Sequence, residues 1–247
     1  GGRCSHWIDD WSVDQIKRVG ADGVKLLLWY RPDAAHRVRH HQLAVAERTG
    51  ALCRQHDISF VLELLTYRIK GHGTTEGPIV GAERLDHVLS GVEAFAPDRY
   101  GVDVFKVESP VLPDDLTPYD AADPADVEAF TDLSVAIARP WVLLSGGSER
   151  SAFLNALRYS CAAGASGFLA GRSIWWDAVR SFPDLEAVRI ALRTDAAGYM
   201  QSINDLTDRH AVPWYDTLSE HATSLLGDST DPFPTGYGPM HPAQDQP

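Results

Sequence analysis

The stretch Gly23-Val24-Lys25-Leu26-Leu27-Leu28-Trp29-Tyr30 decides the fold. Apart from Lys25, every residue from Val24 onward is apolar or aromatic, and the run is strand-length rather than helix-length. A near-continuous apolar run of this kind is expected of a strand covered on both faces, as in a parallel sheet. Similar runs recur at 59–65, 102–107, 141–145 and 167–171, giving five strands. Helical patterns separate them, at 11–20, 35–56, 83–95, 123–139 and 149–163, and two more follow near 174–180 and over 184–209. Ser12 reads as an N-cap and Gly20 as a stop for the first helix. Strands alternating with helices indicate an α/β protein whose parallel sheet is built from βα units.

The chain has four lysines, Lys17, Lys25, Lys70 and Lys106, and two of them fall inside these apolar strands. Lys106 lies in Val102-Asp103-Val104-Phe105-Lys106-Val107-Glu108. Both strand lysines are expected to be buried. Burial disfavours the charged ammonium, a second nearby cation adds to the effect, and a lysine that is neutral part of the time can attack a carbonyl to form a Schiff base. Between these strands lies Glu63, within the apolar run 59–65. Side chains alternate along a strand, so Lys25, Glu63 and Lys106 on consecutive strands can converge on one face. A nucleophile, a companion cation and a carboxylate to move protons suffice for Schiff-base chemistry. The competing reading of each residue is a strand-end lysine or a plain ion pair.

Two segments suit an anion. Leu143-Leu144-Ser145-Gly146-Gly147-Ser148 leaves a strand and opens a helix, and Leu169-Ala170-Gly171-Arg172-Ser173 repeats the arrangement one strand later. Glycines there let backbone N–H groups approach a phosphate, and a helix N-terminus favours negative charge. Arg172 can add a bidentate clamp. Lys25, Glu63, Lys106, Ser145 and Arg172 all lie in strands or at their C-terminal ends, on several successive strands. A barrel assembles its active site in this way, whereas an open doubly wound sheet concentrates ligands at one switch point. The expectation is therefore a (β/α)₈ TIM barrel of which this chain carries five strands.

Other features carry less. His36, His40 and His41 read as a solvated face, and neither they nor Cys53 with His56 suggest a metal site. The polar segment 70–77 is expected to be a mobile loop at the catalytic end. Trp175 and Trp176 read as core packing or as a pocket wall, with core the favoured reading. Over its 247 residues the chain carries a net charge of -12, which argues against nucleic acid or an anionic membrane as partner. The apolar runs are too short to span a bilayer. Three scattered cysteines form no disulfide framework, so a reducing cytoplasm is the expected setting. Residues 1–226 are read as one barrel domain and 227–247, rich in Pro, Gly, Ser and Asp, as a disordered tail. The opening Gly1-Gly2, without a methionine, reads as a chain whose beginning is missing.

These motifs, in this order, resemble the class I, metal-free tagatose-1,6-bisphosphate aldolases and the related sulfofructosephosphate aldolases. The resemblance rests on Trp11-Ser12-Val13, on the run 20–30, on Leu62-Glu63-Leu64, on Phe105-Lys106-Val107-Glu108-Ser109-Pro110, on Leu144-Ser145-Gly146-Gly147 and on Ala170-Gly171-Arg172-Ser173-Ile174-Trp175. It spans about residues 9–215. It implies a (β/α)₈ barrel whose fourth to eighth strands are the five seen here, the first three having no counterpart. It implies an aldehyde-lyase of carbohydrate metabolism with Lys106 as Schiff-base lysine, Lys25 as its companion and Glu63 as proton carrier. Ser145, Gly146, Gly147, Gly171 and Arg172 would hold the phosphate of a phosphorylated sugar. No cofactor and no metal are implied, and the outer helices of such barrels offer surfaces for a homo-oligomer. Two other readings stand beside this one. One is an inactive, truncated barrel that binds phosphate or regulates; the other is a deoxyribose-phosphate-type aldolase sharing the lysine pair.

Overall fold

The computed structural model describes residues 3–68 and 78–217. Its elements, in order, are α1 (Val13–Arg18), β1 (Gly23–Trp29), α2 (His36–Gln55), β2 (Ser59–Leu65), α3 (Gly81–Phe95), β3 (Val104–Val107), α4 (Pro124–Ile137), β4 (Trp141–Leu144), α5 (Arg150–Ala162), β5 (Gly167–Leu169), α6 (Arg172–Val179), α7 (Leu185–Ala191) and α8 (Ala197–His210). The helix expected over 184–209 runs through a π-helical turn, Leu192–Ala196, between α7 and α8. Segment 70–77 and the tail 227–247 lie outside the described residues.

The five strands are all parallel and lie in the order β1-β2-β3-β4-β5. A doubly wound sheet reverses its strand order at a switch point. Here every crossover leads to the next strand on the same side, which is the winding of a barrel. The fold is α/β of the barrel type, as an open five-stranded arc.

Helices cover the outer face of the arc. Val24, Leu28, Phe60, Leu62, Phe105 and Leu143 point outward and are buried. They share one apolar core with Ala46 and Cys53 of α2, Val92 and Phe95 of α3, Leu133 of α4 and Phe153 of α5. Phe95 meets Tyr30 and Tyr100 edge-on, at ring-centroid distances of 5.0 and 5.3 Å, the arrangement that aligns ring edges with ring faces.

The inner face is different, and two expectations are corrected there. Lys25, Leu27, Val61, Val104 and Val142 alternate with the buried set and are half-buried or exposed, and Leu169 is exposed. The strands are thus covered on one face rather than both, and Lys25 is exposed rather than buried. Apolar neighbours along the chain protect the outer face; cover for the inner face would have to come from across the arc.

Local chemistry fixes the entry to the sheet. Ser12 and Gln15 form a reciprocal capping box at α1, Gln15 N donating to Ser12 Oγ at 3.2 Å and Ser12 N to Gln15 Oε1 at 2.7 Å. The segment before α1 lies along the outward edge of β1. Ser5 Oγ donates to Leu27 O at 3.1 Å, and Gln42 Nε2 donates to Trp29 O at 2.9 Å. Ser5 N in turn donates to Gln42 Oε1 at 2.8 Å. Side chains thereby satisfy two edge carbonyls that have no neighbouring strand among the described residues. Among the described residues no helix is long and apolar enough to cross a membrane.

Candidate active site

Register brings the three predicted chemical residues together. Glu63 pairs directly with Lys106 across β2 and β3. Lys25 pairs with Val61, two residues before Glu63, so it sits one pleat lower on β1 and reaches diagonally upward. Lys25 Nζ lies 2.7 Å from Glu63 Oε2, and Lys106 Nζ lies 3.0 Å from Glu63 Oε1. Each carboxylate oxygen therefore takes one ammonium. The side chains are 47% exposed for Lys25, 15% for Lys106 and 9% for Glu63. Burial pushes the Glu63 carboxyl up, but the hydrogen bonds from Lys25 and Lys106, with their charges, outweigh it and hold the group below its ordinary value. Glu63 is thus a carboxylate at neutral pH, sheltered and in contact with two protons it can accept. Lys106 is the more enclosed of the two amines and stands in the middle strand, with two strands on either side.

The residue above Lys106 on the same side of β3 is Glu108, whose shared face follows from alternation but which the sequence reading gave no chemical role. Glu108 Oε2 accepts from Thr66 N at 2.6 Å and from Thr66 Oγ1 at 2.9 Å, and Arg84 Nη2 lies 3.5 Å from Oε1. Arg84 is itself buried and donates to Ser109 O at 2.9 Å. These bonds tie the C-terminal ends of β2 and β3 together immediately above Glu63 and Lys106. A signal was available: a carboxylate two residues past a strand lysine shares its face.

The anion loops also converge. Gly146 and Gly147 have φ of 59° and 88°, left-handed values that favour glycine. A Cβ on Gly147 would stand 3.3 Å from Arg172 Cζ, so the loop runs against the guanidinium. Arg172 Nη2 donates to Gly146 O at 3.2 Å, which joins the loop after β4 to the one after β5. Ser145 is buried, and Ser173 is buried with no partner for its hydroxyl among the described residues. Beside them opens a cleft of about 480 Å³, lined by Gly147, Ser148, Arg150, Arg172, Ser173 and Trp176 among others. Trp175 and Trp176 are 38% and 49% exposed, so they are not core residues as expected; Trp176 is a wall of this cleft.

One helix terminus departs from expectation. The first amides of α5 are occupied, because Glu149 accepts from Ser151 N at 2.8 Å and Ala152 N at 3.3 Å. A self-supplied carboxylate fills the place an anion would take. At α6 the N-cap is Gly171, with no side-chain cap. The terminus left uncapped is therefore that of α6, flanked by Arg172 and the Gly146-Gly147 turn. Lys106 pairs with Val142, three residues before Ser145, which places the loops roughly 10 Å up the sheet from the lysine at the usual strand rise.

Comparison with known proteins gives concordant findings. A family model described as DeoC/LacD family aldolase matches residues 4–177. Tagatose 1,6-diphosphate aldolase 2 of Streptococcus pyogenes serotype M1 is 32% identical over 224 residues, a match covering 85% of this chain and 67% of the relative. The protein of the same name from Streptococcus mutans serotype c is 31% identical over 223 residues, covering 85% of this chain and 66% of its own length. The chain thus spans about two thirds of the length of these curated relatives. Among solved structures, an archaeal fructose-1,6-bisphosphate aldolase, described with its catalytic Lys covalently bound to the carbinolamine intermediate of the substrate, superposes with a TM-score of 0.52 at 16% identity. That match covers 80% of this chain and 62% of the other. A fructose-bisphosphate aldolase from Plasmodium falciparum gives 0.54 at 16% identity, covering 81% and 60%. At such identities the likeness concerns the fold, and it agrees with the barrel winding of the sheet.

Proposed function

The chain belongs to the DeoC/LacD family of aldolases, and from that premise we propose that it is a class I aldolase acting on a ketose phosphate, with Lys106 as its Schiff-base nucleophile. The observation that carries this reading is the sheltered carboxylate Glu63 bonded to two lysines on neighbouring strands. Lys106 gives a proton to Glu63, and its amine attacks the ketone carbon. The resulting carbinolamine loses water after Glu63 returns a proton to the departing hydroxyl. The iminium that remains draws in the electron pair of the C3–C4 bond while the C4 hydroxyl gives its proton to the Glu63 carboxylate, which releases an aldehyde and leaves an enamine. Protonation at C3 and hydrolysis then free dihydroxyacetone phosphate and regenerate the amine. Lys25, held by the second oxygen of Glu63, places a fixed positive charge beside the reacting oxygens. Arg172, Ser145 and the backbone of Gly146, Gly147 and Gly171 take the phosphate nearest the ketone.

The names of the relatives favour tagatose 1,6-bisphosphate as substrate. 6-Deoxy-6-sulfofructose 1-phosphate has the same ketone and the same near phosphate and fits the same chemistry. The setting in this reading is the cytoplasm, consistent with three free cysteines. A second reading, phosphate binding without turnover, is favoured by one observation: Lys25 is 47% exposed, so water reaches one side of the triad.

Borohydride reduction in the presence of dihydroxyacetone phosphate, followed by peptide mass spectrometry, separates the two. The expected result is a reduced adduct on Lys106 that is missing from Lys106→Met. Folded protein that yields no lysine adduct, yet binds the phosphate, would establish the second reading instead.

A further inference from the structure

Across Lys106 from the phosphate loops, the mouth of the inner face carries a second cation. The guanidinium of Arg3 lies over the Trp29 ring, 3.9 Å from its centroid, and 5.5 Å from that of Tyr67. The two rings meet edge to face at 6.3 Å. Trp29 closes β1 on the side that carries Lys25 and Leu27, and it pairs with Leu65, one pleat above Glu63. Arg3 is exposed, and among the described residues it has no carboxylate partner. Its position is nevertheless built. Two residues on, Ser5 is held by Gln42, which is fully buried, and by the ring of His41, whose Nε2 lies 2.7 Å from Ser5 O. An unpaired guanidinium stacked on an indole is well hydrated on one side only and is suited to a bidentate anion.

The order of groups along the sheet gives this cation its meaning. The phosphate loops follow β4 and β5, Lys106 is on β3, and Arg3 stands at the end of β1. A ketose with its carbonyl carbon on Lys106 and its nearer phosphate at Arg172 has its remaining carbons directed toward β1. The two strand spacings from β3 to β1 amount to roughly 10 Å, within the span of four carbons and a terminal anionic group.

We propose that Arg3, on its Trp29 platform, receives the far anion of a ketose that carries an anionic group at each end. This assignment rests on the aldolase reading for the direction of the substrate, and its test is kept separate from turnover. The probes are a hexitol 1,6-bisphosphate and the corresponding hexitol 1-phosphate, which bind without being cleaved, titrated calorimetrically into the full chain. The unaltered protein should prefer the two-anion probe by about tenfold to a hundredfold, the usual worth of a charge-assisted contact. Arg3→Gln should abolish that preference while leaving affinity for the one-anion probe unchanged, and Arg3→Lys should restore part of it. A preference that survives in Arg3→Gln, or an equal loss for both probes, overturns the assignment. Borohydride trapping with dihydroxyacetone phosphate, which has no far anion, reports on the aldolase reading alone. Trapping that fails while the Arg3-dependent preference persists removes that reading and leaves the anion site standing.

Discussion

Replacing Glu63 by glutamine tests whether this carboxylate is the hub of the inner face. The change keeps the shape and one acceptor but removes the charge that two ammonium groups share at 2.7 and 3.0 Å. The two partners do not suffer equally. Lys25 is 47% exposed and falls back on water, so its share stays within the roughly 0–1 kcal/mol of a surface pair. Lys106 is 15% exposed and has no such recourse; a charge-assisted hydrogen bond of that kind is worth about 1.5–3 kcal/mol. Glu63→Gln should therefore cost about 2–3 kcal/mol. Lys25→Met should cost less than about 1 kcal/mol, because Glu63 keeps its better-buried partner. Urea unfolding at neutral pH, with unchanged m, reads the difference as a fall of about 1 M in the midpoint for Glu63→Gln. The pH dependence adds a sign. Because the Glu63 carboxyl titrates below its ordinary value in the folded chain, its contribution is complete above the ordinary carboxylate range and is lost as pH falls through the lowered value. The gap between the two proteins should thus close toward acid. A gap that widens toward acid, or a Lys25→Met cost matching that of Glu63→Gln, would refute the reasoning.

Three further outcomes are expected. Arg172→Leu should raise KM for a phosphorylated ketose by about tenfold or more with a smaller change in kcat, since it removes a ground-state anchor; an unchanged KM in steady-state assays would contradict that role. Gly147→Ala places a Cβ at φ 88° and 3.3 Å from the Arg172 guanidinium carbon, so it should lose about 1 kcal/mol or more in thermal unfolding and weaken phosphate binding in the same titration. Burial pushes the thiols of Cys53 and Cys161 up to about 11 and about 12, so at neutral pH iodoacetamide should label Cys4 and spare these two until the chain unfolds; mass spectrometry of native protein labelled at Cys161 would contradict the core assignment.

The strand at 59–65 was legible to the residue and the one expected at 141–145 to within one residue, because a short, mainly apolar run between helical patterns admits little else. The run at 102–107 yields a shorter strand, Val104–Val107, since the Asp103 carboxylate accepts the Phe60 amide at 2.7 Å and replaces a ladder bond there. Alternation along each strand allowed Lys25, Glu63 and Lys106 to share a face, and the register of β1, β2 and β3 makes them meet. The burial of Lys25 could not be read, because it depends on what faces it across the arc and not on its neighbours in the chain. Trp175 and Trp176 misled for the opposite reason: large apolar side chains fit a cleft wall as well as a core. Glu149 shows the remaining gap, for a strand–glycine–helix pattern does not reveal that the first acidic residue will fold back onto the helix it precedes.

The strict succession of strands has a consequence for how such a site can vary. Each strand's neighbour in space is its neighbour in the chain, so the groups proposed to handle protons fall within residues 25–108 and those proposed to hold the nearer phosphate within 145–173. The two tasks occupy separate, contiguous pieces of chain that meet at one ladder, β3 against β4. A change in the later piece can alter what is anchored without disturbing how the bond is broken, and a single exchange of sequence at that ladder would carry one task into a different relative intact.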